Sequence, residues 1–220
     1  MAVLPTRIAT TMLPLATLIA GAAGAAPAAA ATLHTGRGCY LVGQRVTLRG
    51  AGFGASREYI VSIDGVYFGS NTTDVRGSFT SALRPGGLGA GIPEAVDQLE
   101  ASDGTVTADT TFTLTRPAGA RFLATSGNPR TLRSRFQAWG FGTDGRHPSV
   151  YLHYVSPSGR LSSTVSLGRA GGQCGYLETG SRRVFPFAPS RGHWTLQVDT
   201  QRAYHHRPAG AVARIGVQIA

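Results

Sequence analysis

The chain has 220 residues and a formal net charge of +10, and all 21 of its basic residues are arginine. Without lysine a Walker-type phosphate loop is excluded. A sequence rich in Gly, Thr, Ser and Val, with no helical apolar spacing beyond the N-terminus, excludes a helical architecture and points to an all-β protein. Arginine in place of lysine throughout is the signature of GC-rich coding, so total charge says less than its distribution. From Thr32 to Arg116 there are seven arginines against eight acids, and from Pro117 to Ala220 thirteen against three. The basic excess therefore belongs to the second half, as in a surface that meets a polyanion.

In chain order, residues 1–30 read as a cleaved secretory signal peptide, with Arg7 before an apolar stretch from Ile8 to Ala20. Ala23-Gly24-Ala25 or Ala28-Ala29-Ala30 supplies the small residues of a cleavage site. The alternative is a membrane anchor, but the apolar run is short for one. Export gives the two cysteines meaning, because thiols in an oxidising compartment pair. A Cys39–Cys174 disulfide would join the two halves; the other possibility is two separate thiols.

The first module spans 31–116. Val46-Thr47-Leu48-Arg49-Gly50-Ala51-Gly52-Phe53-Gly54 reads as a strand that leaves the sheet at a Gly-Phe-Gly corner, and Phe136 to Gly142 (F-Q-A-W-G-F-G) is a degenerate second copy. Tyr59, Val61 and Ile63 share a strand face, Asp64-Gly65 makes a hairpin turn, and Val66 to Phe68 returns. Asp74 to Gly77 is a second turn before Ser78 to Leu83, and Pro85 to Pro93 is a glycine-rich loop. Ala95 to Ala101 and Thr105 to Thr115 form a closing hairpin over Ser102-Asp103-Gly104. Short strands at this spacing predict an immunoglobulin-like sandwich. Leu48-x-Gly50-x-Gly52-Phe53-Gly54 followed by Val61-Ser62-Ile63-Asp64-Gly65 resembles the IPT/TIG group of immunoglobulin-like domains. That resemblance implies a fold and brings no catalytic residues.

The second module spans 117–220, after a connector Pro117 to Ala120. Its expected strands are Phe136–Ala138, Ser149–Val155, Ser163–Leu167, Arg183–Phe187, Trp194–Asp199 and Val212–Ile219, with Trp194–Asp199 read as half-buried. The set Val150 to Val155, Pro157, Gly159, Cys174-Gly175, Phe185-Pro186-Phe187 and Gly192-x-Trp194 is similar to uncharacterised exported proteins of actinobacteria. Together these readings give two tandem immunoglobulin-like β-sandwich domains after a cleaved signal peptide, secreted or associated with the cell envelope.

No G-x-S-x-G elbow, free Cys/His pair or H-E-x-x-H spacing is present, so no catalytic residue, metal site or cofactor is expected. His153, mid-strand, reads as a hydrogen-bonded histidine at the interface of the modules. The alternative is a hydrolase of envelope polymers that pairs His153 with Asp144, Glu178 or Asp199. Arg130, Arg133, Arg135, Arg182, Arg183, Arg191, Arg202, Arg207 and Arg214 form the candidate basic set. Arg133, Arg135, Trp139, Arg182, Arg183 and Arg191 are the binding candidates, since forked donors beside an aromatic ring suit phosphate or carboxylate groups. The expected function is non-enzymatic binding to an anionic envelope polymer, with nucleic acid not the physiological partner. A structural or protein-partner-binding module is the third reading.

Overall fold

The computed structural model describes residues 30–124 and 126–220. The expected signal peptide lies outside the described residues except for Ala30. The described chain is all-β, with no helix. Its first half contains β1 (Thr32–Thr35), β2 (Cys39–Leu41), β3 (Val46–Ala51), β4 (Glu58–Ile63), β5 (Val66–Thr72), β6 (Phe79–Leu83), β7 (Glu94–Ser102) and β8 (Thr107–Thr115). The second contains β9 (Gly119–Phe122), β10 (Arg133–Ser134), β11 (Phe136–Trp139), β12 (Ser149–Val155), β13 (Leu161–Arg169), β14 (Leu177–Glu178), β15 (Arg182–Arg183), β16 (Gly192–Asp199) and β17 (Val212–Ile219).

In the first half a five-stranded sheet, β2-β8-β7-β4-β5, and a three-stranded sheet, β1-β3-β6, send side chains into one core. Leu33, Val46, Leu48 and Leu83 come from the smaller sheet, and Tyr59, Val61, Leu99 and Phe112 from the larger. The period of two along β3, with Val46, Leu48 and Gly50 inward, is what gives each strand a single core face. In the second half a four-stranded sheet, β13-β12-β16-β17, a three-stranded sheet, β14-β11-β9, and the ladder β10-β15 surround a separate core. Val150, Leu152, Tyr154, Trp194, Leu196 and Val198 are its centre.

The two Gly-Phe-Gly corners are alike in detail. Gly52 and Gly140 both have positive φ, +82° and +75°, and Phe53 and Phe141 are both buried, each in its own core. Each corner amide donates to the carbonyl of a distant glycine, Phe53 to Gly77 (3.1 Å) and Phe141 to Gly175 (3.4 Å). Gly77 and Gly175 are themselves left-handed, and a Cβ on either would overlap backbone of its corner. Asp103 adds a clamp to the first corner: its carboxylate accepts from the amides of Gly54, Thr105 and Val106 and from the Thr105 hydroxyl. Those bonds hold the carboxyl far below the usual carboxylate range.

The halves are joined covalently. Cys39 and Cys174, both buried, form a disulfide with a Cα–Cα distance of 5.2 Å across 135 residues of sequence. Closing a loop of this length stabilises the fold by roughly 4–5 kcal/mol in the chain-entropy model. Arg121, on β9, adds a hydrogen bond from its guanidinium to the carbonyl of Gly91 in the first half (3.0 Å).

Several expected elements differ. Val184–Phe187 is not strand: only Arg182–Arg183 pairs, because Pro186 has no amide to give a ladder and Phe185 and Phe187 turn onto Tyr154 and Trp194. The connector Pro117 to Ala120 runs into β9, which pairs with β11. Strand β16 is covered on both faces, with Gln197 and Asp199 as buried as Leu196 and Val198, because residues 200–211 fold back over its polar side.

Gly77→Ala and Gly175→Ala are each expected to destabilise by at least ~2 kcal/mol, the left-handed backbone cost of roughly 1–2 kcal/mol plus the overlap at the corner. Gly43→Ala is the control, since φ there is +84° but the Cβ position is open. Chemical denaturation of the three variants checks this, and equal losses at all three positions would contradict the corner role.

Candidate functional site

The candidate arginines fall into two groups, those whose guanidinium is already engaged and those left facing solvent. On β10 and β15, Arg133 stands directly opposite Arg183 and Ser134 opposite Arg182. Directly paired residues in an antiparallel ladder project to the same side, so two exposed guanidiniums share one face. Like charges so placed cost stability unless an anion lies between them. Arg133 donates one hydrogen bond to the carbonyl of Ser181 (2.7 Å), which aims its head without neutralising it. Arg182 donates to the carbonyl of Ser166 at the edge of the four-stranded sheet (3.0 Å). Among the described residues no carboxylate forms an ion pair with Arg133, Arg182, Arg183 or Arg191.

Arg135 is different. It pairs with Glu178 at 2.7 Å, and Glu178 also accepts hydrogen bonds from Gln137 (2.8 Å) and Tyr176 (3.0 Å). The bonds from Gln137 and Tyr176, helped by the Arg135 and Arg121 charges, hold the Glu178 carboxyl below its ordinary range. Trp139 lies against the backbone of Gly119, and the guanidinium of Arg121 sits 5.8 Å from its ring centroid. Arg121 was missing from the sequence-based set. Its bonds to Gln137 (2.7 Å) and Gly91 bind it to the framework. Arg191 is exposed in the segment that leads into β16.

His153 is wholly buried, and its partners all come from the second half: Thr164, Asp199 and the carbonyl of Gln201. It lies under residues 200–211, so its setting is the outer face of the four-stranded sheet and not an interface of the two halves. Of the three carboxylates in this half, Asp199 alone reaches it, at 3.3 Å. Asp144 pairs with Arg146 and Glu178 with Arg135. The sequence could have marked Asp199 only through pairing of β12 with β16, where Tyr151 stands opposite Asp199 and His153 opposite Gln197. Among the described residues no three His, Cys, Asp or Glu side chains gather as a metal site.

Because the folded Glu178 carboxyl titrates below its unfolded range, its bonds stabilise the protein above that range and fade as pH falls through the folded value. The unfolded reference is about pH 4.3. Glu178→Gln is therefore expected to lower Tm at pH 7 and to cost less at pH 3. Thermal melts at both pH values check this, and the same loss at both would show that the carboxylate charge plays no part.

The Cys39–Cys174 disulfide is compatible with an extracellular protein. Among the described residues no helix is long and apolar enough to cross a membrane. No protein-family model matches the chain, and no curated protein matches it in sequence.

Proposed function

We propose that the protein is exported and acts in or near the cell envelope as a binding protein of two immunoglobulin-like sandwiches, the first of IPT/TIG type, whose basic second unit contacts an anionic polymer. The observation that carries this reading is the Arg133–Arg183 pair: two exposed guanidiniums in direct cross-strand register with no acidic partner among the described residues. A repeating anion bridges such a pair and turns its repulsion into attraction. Arg182 projects from the other side of β15 onto the carbonyl of Ser166, and the scarcity of acids in this half leaves the Arg133–Arg183 pair unscreened.

The binding is non-enzymatic on this reading. A hydrolase centred on His153 gains Asp199 as an orienting carboxylate, but both ring nitrogens are occupied and the ring is shut away from solvent. A protein-partner role has one specific observation in its favour. Strand β5 is an unpaired sheet edge without a charged residue, and it exposes Val66, Tyr67 and Phe68.

The test is binding of the disulfide-bonded protein to isolated anionic envelope polymer across a salt series. Binding is expected to fall steeply with salt, and the Arg133→Ala, Arg183→Ala double variant to flatten the slope of log K against log salt by roughly 1.5. Arg135→Ala, which removes an arginine already paired with Glu178, is expected to change it little. Salt-independent binding, or a double variant that behaves like wild type, would overturn the proposal.

A further inference from the structure

On the outer face of the four-stranded sheet a row of polar side chains runs straight across the strands. Thr164 on β13 stands opposite His153 on β12, His153 opposite Gln197 on β16, and Gln197 opposite Arg214 on β17. The hydrogen positions along this row follow from its far end. The Arg214 guanidinium can only donate, and it gives Nε–H to Gln197 Oε1 (3.1 Å) and an Nη2–H to the carbonyl of His206 (2.7 Å). That orients the Gln197 amide, whose Nε2 donates to Asp199 Oδ2 (2.8 Å) and to the carbonyl of His205 (2.9 Å). Asp199 Oδ1 accepts from the amide of Gln201 (2.8 Å). His153 Nε2 faces Asp199 Oδ1 and the carbonyl of Gln201 (3.1 Å), both acceptors, so Nε2 carries a hydrogen. In the neutral ring Nδ1 is then an acceptor, and the Thr164 hydroxyl, 2.8 Å away, donates to it.

The consequence is at the outer end of the row. With His153 neutral, Thr164 spends its one hydrogen inward, and its oxygen offers the outside only lone pairs. The same side chain lines an open cavity of about 470 Å³ with Tyr151, Ser166 and Arg202. That volume is in the range of small-ligand sites, roughly 300–1,000 Å³. Arg202 is exposed and forms no ion pair among the described residues. The cavity thus presents a cation and an acceptor-only oxygen, together with a half-buried aromatic residue and two further hydroxyls, those of Ser166 and Tyr151. Sulfate or a phosphodiester fits poorly, because neither has a hydrogen to give and each meets Thr164 oxygen against oxygen. A group that carries an anion and also O–H donors satisfies both.

We infer that this cavity binds a uronic acid residue, with its carboxylate on Arg202, a ring hydroxyl donating to Thr164 Oγ1, and its apolar face against Tyr151. The inference rests on the anionic-polymer reading and names the sugar unit that is recognised. The row of buried His153, Asp199 and Gln197, ended by the exposed Arg214, acts by positioning: it fixes the polarity of one hydroxyl and pins residues 200–211, which carry Arg202, over the sheet.

The test uses the whole disulfide-bonded protein with three probes: D-galacturonate, D-galactose, which lacks the carboxylate, and inorganic sulfate, which has no O–H donor. Titrations followed by NMR are expected to show saturable binding of galacturonate, with galactose and sulfate each weaker by about tenfold or more. Thr164→Val is expected to lose roughly tenfold for galacturonate and Thr164→Ser to keep it, which separates loss of the acceptor from loss of fold. Arg202→Gln is expected to erase the preference for galacturonate over galactose. Sulfate binding as well as galacturonate, or Thr164→Val binding like wild type, would overturn the inference.

Oligogalacturonate with the Arg133→Ala, Arg183→Ala variant separates the two surfaces. Oligomer binding that is lost there but unchanged in Arg202→Gln overturns the cavity and keeps the basic face. Oligomer binding that is lost in Arg202→Gln but unchanged in the double variant keeps the cavity and overturns the face.

Discussion

The Cys39–Cys174 bond is the constraint on which the joining of the two halves depends. Cys39 lies on β2, the edge strand held parallel to β8, and Cys174 lies beside the second glycine corner, where its carbonyl accepts from the amide of Gly142 (3.1 Å). The Cys174 sulfur also approaches the carbonyl of Thr113 on β8 (3.5 Å). One covalent bond thus fastens a sheet edge of the first half to the turn that shapes the core of the second. Gly38 completes the junction, because a side chain there would collide with Gln173. Burial of both sulfurs keeps the bond from thiols in solution, as suits a structural disulfide.

Within that frame the arginines take on different work, which total charge conceals. Arg116 and Arg121 hold the glycine-rich loop by the carbonyls of Leu88, Gly89, Gly91 and Ile92. Arg169 donates to the carbonyl of His147, and Arg214 anchors the polar row. A guanidinium, with five donors in a fixed fork, suits such carbonyl bracing, so an arginine-only repertoire is partly structural. What remains is a smaller set, Arg133 and Arg183 foremost, with neither a carboxylate nor a second carbonyl to hold. The proposed contact with an anionic polymer rests on Arg133 and Arg183 and not on a charge of +10.

Much of the fold was legible where a local rule decides. Asp64-Gly65, with positive φ at both residues, sits where the sequence put a hairpin turn, and β7 and β8 pair over Ser102–Thr107. The corner repeat was legible as a repeat, and its two phenylalanines are buried in separate cores. It could not show Gly77 and Gly175, because their partnership with the corners is set by tertiary contact across about 25 to 35 residues of chain. Short strands such as β2, β9 and β14 carry too few residues for a period of two to register. The polar side of β16 alternates as a solvent face does, and only the fold-back of residues 200–211 turns Gln197 and Asp199 into buried groups. For the same reason the partner of His153 was one of three acids in sequence and a single one in space.

The most direct measurement of the central claim is an NMR titration of the arginine side-chain Nε–Hε resonances with a short anionic oligosaccharide at moderate salt. Saturable shifts confined to Arg133 and Arg183, with Arg135 still paired to Glu178, are the expected result. Small, unsaturable shifts spread evenly over all the arginines would mean that the positive charge is diffuse and that no anion-binding face exists.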